Sequence, residues 1–251
     1  MTERVTALGV RPGTVLHVQA SLRALGPVVG GPAAVVEALL AAVGDRGTLV
    51  GYTATPENSA TSRIHAAATA GLSPAEIAAY RGRMPAFDPA TTPCSPSMGA
   101  LSEAIRTHRD ARRSRHPQTS WAAVGRLARR ITEHHPHDCH LGPASPLGRL
   151  YDLDARVLML GVPMSRLTAF HLADLRMPDV PLREYRCRGA EGWISFKAPE
   201  LDDLHFGDLG EQVLREAVGV TAGGIGGAHC RLVPVREAVD LAERILRRSR
   251  A

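Results

Sequence analysis

The sequence predicts an α/β fold: a single domain over residues 1–251 in which helices flank a central, mostly parallel sheet. Two stretches carry the prediction. Within the first 55 residues an apolar strand, an Ala-rich helix and a second strand follow one another, the unit from which parallel sheets are built. Further on, "ARVLMLGVPM" is the most convincing buried strand in the chain and runs directly into the helix-like "SRLTAFHLADL".

Each element follows from local chemistry. "GTVLHVQASL" is short and apolar, with polar residues where a buried strand should stop. "VGGPAAVVEALLAAVG" places Pro32 in a first helical turn and Gly44 as the stop signal. "RGTLVGYTAT" is the second strand. Residues 53–98 break the rhythm: "TATPENSATS" and "MPAFDPATTPCSPSMG" are loop-like, and "SPAEIAAYRGR" between them is a short helix behind a serine cap. Irregular insertions of this length in compact domains are often functional. Helix "GALSEAIRTHRD", strand "SWAAVG" and helix "GRLARRITEHH" follow. The C-terminal "REAVDLAERILRRSR" has helical apolar spacing at Ala238, Leu241, Ala242 and Ile245, with arginines in the last turns, where the helix dipole favours them. No linker divides the chain.

Composition narrows the function classes. With 44% hydrophobic and 22% charged residues the chain has an ordinary globular make-up, and no apolar run is long enough to cross a membrane. Cys94, Cys139, Cys187 and Cys230 contain no Cys-x-x-Cys pair, which points to reduced thiols and a cytoplasmic setting. The net charge of +5 is carried almost wholly by arginine, since Lys197 is the only lysine. Such a surplus suits a phosphate-bearing partner or simply a solvated surface. Nucleic acid is disfavoured because the basic residues are not interleaved with aromatics.

Three constellations bear chemistry. In "TAFHLAD", Thr168 is placed to cap a helix whose first turn holds His171, with Asp174 three residues on along the same face. A histidine near a helix N-terminus is held neutral by the dipole and can act as a base, with Asp174 orienting its ring; a purely structural histidine is the plainer alternative. "RRSRHPQTSWAAVG" sets Arg113 and Ser114 before a proline turn, where they are either phosphate donors or a solvated loop. "HHPHDCH" is rich in metal-ligand types, but its spacing matches no common zinc pattern, so no metal is expected.

These segments, in order, resemble the aminoglycoside N3-acetyltransferase family, which uses acetyl-CoA. The resemblance runs from "VLHVQASLRALGPVVGGPAAVVEALLAAVGDRGTLVGY" through "MPAFDPATTP", "RRSRHPQTSWAAVG" and "LGPASPLGRLYDLDARVLMLGV" to "TAFHLAD", similar to the family's Thr-x-x-His-x-Ala-Glu signature. It implies acetyl transfer from acetyl-CoA to the 3-amino group of a 2-deoxystreptamine aminoglycoside, conferring antibiotic resistance. His171 would be the general base, Asp174 its partner and Thr168 a hydroxyl for the developing oxyanion. Coenzyme A would meet Ser21, Leu22, Arg113, Ser114 and Ser120. The polycationic drug needs carboxylates, for which Glu57, Asp88, Asp202 and Asp203 are the candidates, with residues 53–98 and 180–210 shaping the acceptor site. The chain departs from the family in three places: Asp174 where Glu is usual, Ala169 where a second Thr or Ser is common, and Gln19-Ala20-Ser21 for a His-Ser-Ser-like turn. Four rivals remain open at this point: transfer to another amine, a CoA- or drug-binding protein without activity, a ping-pong enzyme with a cysteine nucleophile, and, least favoured, a metal-dependent hydrolase built on the histidine cluster.

Overall fold

The computed structural model describes residues 1–249; Arg250, assigned above to the last helix, lies outside them, as does Ala251. Nine strands form among these residues: β1 (Val15–Ala20), β2 (Thr48–Tyr52), β3 (Arg112–Arg113), β4 (Trp121–Gly125), β5 (Arg156–Leu160), β6 (Leu182–Gly189), β7 (Gly192–Pro199), β8 (Thr221–Ile225) and β9 (Ala228–Pro234). Seven of them make one sheet in the order β3-β4-β2-β1-β5-β9-β8, and β6 pairs with β7 in a separate hairpin.

At the centre, β1 lies parallel to β2 on one side and to β5 on the other, with Val18 opposite Gly51 and Leu158. The flanking pairs are antiparallel. Five of the seven strands therefore point the same way, and only β4 and β9 run against them, which is the mostly parallel sheet expected. Parallel strands need both faces covered, and this trio has both. Alternate residues divide cleanly between two cores. Val15, Val50, Val157 and Met159 face the helices that include Phe206–Glu216 and Val235–Ser249. Leu16, Val18, Leu49, Leu158 and Leu160 face Gly31–Val43 and Gly99–Arg106.

The local signals act where they were read. Pro32 opens the helix Gly31–Val43, and Gly44 closes it at φ +63°, a conformation that glycine adopts without strain. Ser73 caps Pro74–Arg83 in a full capping box with Glu76. Val235–Ser249 buries Leu241 and Ile245, each contributing roughly 2 kcal/mol of apolar burial. Elsewhere the structure corrects the reading. The helix at "GRLARRITEHH" is confined to Ala128–Thr132, because Pro136 and the buried His135 turn the chain inward. The insertion carries a second helix, Arg63–Ala68, capped by Ser62.

Candidate active site

The carboxyl ends of β1, β2 and β5 open on one edge of the sheet, the place where α/β sheets bind ligands. A cavity of about 450 Å³ lies there, floored by Val18, Gln19 and Ala20 of β1 and Tyr52 of β2. The segment after β5 supplies Thr168 and His171, while Ser97, Ser102, Asp203 and Phe206 close the sides. The whole floor depends on β1 being sandwiched between two parallel neighbours.

His171 stands in the short helix Phe170–Asp174. Its ring meets the edge of Phe206 at 4.7 Å. Burial, the largest cause, pushes its pKa down to about 4; Asp203 and Asp202 raise it, and His205 and Arg63 lower it. It is therefore neutral and able to accept a proton at pH 7. Desolvation, and not the helix dipole expected from the sequence, keeps it neutral, since a five-residue helix has little dipole.

Thr168 is not the helix cap. Ala169 occupies that position, without a side-chain bond. Thr168 instead gives its carbonyl to the His171 N–H (3.1 Å) and its own N–H to Gln19 Oε1 (3.1 Å). Its hydroxyl has no hydrogen-bond partner among the described residues, and Thr168 lines the cavity. Asp174 Oδ1 lies 3.0 Å from His205 Nε2, a partner the sequence reading missed because "ELDDLHFGD" drew attention to its acids.

The residues assigned to coenzyme A stand elsewhere, and none of the five lines the cavity. Ser21, next to cavity-lining Ala20, caps the turn Leu22–Leu25 by accepting the Ala24 N–H, and Leu22 packs on the core. Arg113 is a correction. Its guanidinium donates inward to Thr53 O (2.8 Å), Ser120 Oγ (3.1 Å) and the Thr92 carbonyl, and lies over the Phe87 ring. Burial lowers its pKa to about 10, with Arg106 the next cause. Ser114 and Ser120 are fully enclosed, hydrogen-bonded to His135 and Thr53 respectively, so they brace the end of the sheet.

Among the four acids, only Asp203 lines the cavity. It pairs with Arg63 at 3.2 Å, as Asp202 does at 3.6 Å. Glu57 accepts from Ser95 Oγ at 2.6 Å. Asp88 is exposed and accepts the Ala90 N–H, which holds its carboxyl below the usual range. His116, His135 and His140 are buried, while His134 is exposed. His116 accepts the Gln118 and Thr119 N–H groups on Nδ1 and donates from Nε2 to the His137 carbonyl, while His135 bonds to Ser114 and the His140 carbonyl. Among the described residues no three metal-ligating groups converge.

Comparison with known proteins decides the family. The profile of aminoglycoside 3-N-acetyltransferase matches residues 17–247. This chain belongs to that family. It is 34% identical over 97% of its length to the SPβ prophage-derived aminoglycoside N(3′)-acetyltransferase-like protein YokD of Bacillus subtilis, covering 90% of that protein. It is 41% identical to aminoglycoside N(3)-acetyltransferase III of Serratia marcescens over 71% of this chain and 64% of the relative. In three dimensions it matches the crystal structure of YokD with a TM-score of 0.89 at 32% identity, covering 98% of this chain and 96% of that one. Sisomicin-bound AAC-VIa matches with a TM-score of 0.85 at 28% identity (99% and 96% covered). AAC-IIIb with CoASH matches at 0.82 and 27% (99% and 95% covered). As a member of this family the chain is an acyltransferase.

Proposed function

We propose that this enzyme transfers an acetyl group from acetyl-CoA to the 3-amino group of a 2-deoxystreptamine aminoglycoside, by direct attack within a ternary complex. The observation that carries the reading is a neutral His171 on the wall of a cavity over three parallel strand ends. Family membership and the drug-bound and CoA-bound neighbours support the two substrates.

The ammonium form of the drug must lose a proton before its nitrogen is nucleophilic. His171 accepts a proton as the C–N bond forms at the thioester carbonyl and returns one to the departing sulfur. One proton is released to solvent per turnover. The Thr168 hydroxyl donates to the developing oxyanion. Coenzyme A enters past the Ser21–Leu22 turn. Its phosphates draw on the groove that holds the exposed Arg109, Arg112 and Arg115, whose charge is nearer to solvent than that of Arg113.

A second reading is favoured by one observation: among the described residues Asp203 is the single carboxylate lining the cavity, and it shares Arg63 with Asp202. An acceptor amine of lower charge than an aminoglycoside would suit that lining. Thiol release from acetyl-CoA, followed with a thiol-reactive dye across a panel of aminoglycosides and simpler amines, separates the two. Drug-dependent release that falls about 10²–10⁴-fold in His171→Ala is expected. Release with simple amines alone would move the assignment to the second reading.

A further inference from the structure

The nine residues between β5 and the His171 helix have a hydrogen-bonding problem. Gly161–Ala169 is irregular apart from one turn, Met164–Arg166. Within it, the Arg166 and Leu167 N–H groups bond to Pro163 and Met164, and the Thr168 carbonyl takes the His171 N–H. Among its groups that have no backbone partner are the Arg166 carbonyl and the Thr168 N–H. Thr168 is buried, and a backbone group withdrawn from water needs a partner, whereas Arg166 is exposed.

Gln19 supplies both. Its Nε2 donates to the Arg166 carbonyl at 2.5 Å, and its Oε1 accepts the Thr168 N–H at 3.1 Å. The two bonds have opposite polarity, so they fix which end of the amide is oxygen. The side-chain amide pairs with this segment much as a peptide group in a neighbouring strand would. Gln19 is itself on the cavity floor, next to the residues it holds. It is also a position where the sequence departs from the His-Ser-Ser-like turn.

We propose that Gln19 is a positioning residue, whose amide pins residues 166–168 so that the Thr168 hydroxyl, and not its occupied N–H, is presented to the reacting carbonyl beside His171. The proposal rests on the transferase reading above. It follows that no near-isostere serves in its place. Glu keeps the acceptor for Thr168 but sets a carboxylate against the Arg166 carbonyl. Met keeps the length and loses both bonds.

The test uses Gln19→Met and Gln19→Glu in the full chain, with two readouts. Steady-state thiol release should show kcat falling about 10- to 100-fold while both KM values stay within about threefold, because misplacing a reacting group by about 1 Å costs turnover more than binding. Amide hydrogen exchange, read by NMR without any substrate, should show the Thr168 N–H losing protection in Gln19→Met and keeping it in Gln19→Glu. A Gln19→Met enzyme with wild-type kcat, or with Thr168 still protected, overturns the proposal. If wild type releases no thiol with any amine, it is the transferase reading that fails, and the exchange measurement alone then decides the Gln19 contacts.

Discussion

Acidification should weaken this protein before its carboxylates are titrated, and the buried histidines set where. Burial, the leading cause for each, lowers His17 and His135 to about 4 and His140 to about 3, from an ordinary value of 6.5; His116 moves the same way. The unfolded chain therefore takes up protons that the folded chain refuses. Stability from these groups is intact above pH 6.5 and declines as pH falls from there toward 4. At pH 5 each of the three costs roughly 2 kcal/mol, or about 6 kcal/mol together as an upper bound, since His135 and His140 are mutually coupled. Typical stabilities of about 5–15 kcal/mol leave little margin for that. The carboxylates do not confuse the window. Burial alone would raise Glu103, but Arg106 and Cys94 outweigh it and hold it at about 2. Urea unfolding at pH 7.5, 6 and 5, followed by the fluorescence of Trp121 and Trp193, should show the loss. In His140→Gln the pH 7.5-to-5 loss should shrink by about 2 kcal/mol. A wild-type loss below about 1 kcal/mol, or the same slope in the variant, would refute the reasoning.

Two further outcomes follow from the cavity walls. Asp203→Asn should raise KM for a polycationic acceptor about 3- to 10-fold and leave KM for acetyl-CoA alone, since Asp203 is the carboxylate that faces the cavity; calorimetric binding of the drug checks it, and unchanged affinity would remove Asp203 from the acceptor site. Phe206→Ala should cost roughly 3–5 kcal/mol in urea unfolding and lower kcat as well, because Phe206 is 2% exposed and packs on both Phe170 and the His171 ring.

What the sequence made legible was whatever had a local signature. The β1–helix–β2 unit, β5 and the C-terminal helix carry their periodicity, caps and stop signals within a few residues of themselves. Thr168 and His171 were singled out by one short motif and its family resemblance, and Asp203 only by the charge a polycationic acceptor requires; all three line the cavity. The antiparallel flank was not legible: β8 reads "TAGGI", and its strand character comes from pairing with β9 and not from apolar alternation. Arg113 and Ser114 looked like a solvated basic loop or a phosphate clamp. They are internal because Thr53, Thr92 and His135, from distant parts of the chain, receive their hydrogen bonds. His205 and Gln19 were missed as parts of the site for a related reason. The contacts of Gln19 span 147 and 149 residues, a distance over which no sequence pattern speaks.

The place of β1 between β2 and β5 also has a consequence for synthesis. Its partner β2, and the strands β4 and β3 beyond it, lie within the first 125 residues, but β5 begins only at Arg156. Chains emerge N-terminus first, so for a stretch of translation one edge of β1 is unpaired, with Leu16 and Val18 on an open sheet. Such an edge is a template for pairing with another nascent chain. Nor can a ligand rescue that stage, because two walls of the cavity, at Thr168 to His171 and at Asp203 to Phe206, have not yet been made. The enzyme's own substrates can protect it only once it is nearly complete, and until then its solubility rests on how quickly β5 reaches β1.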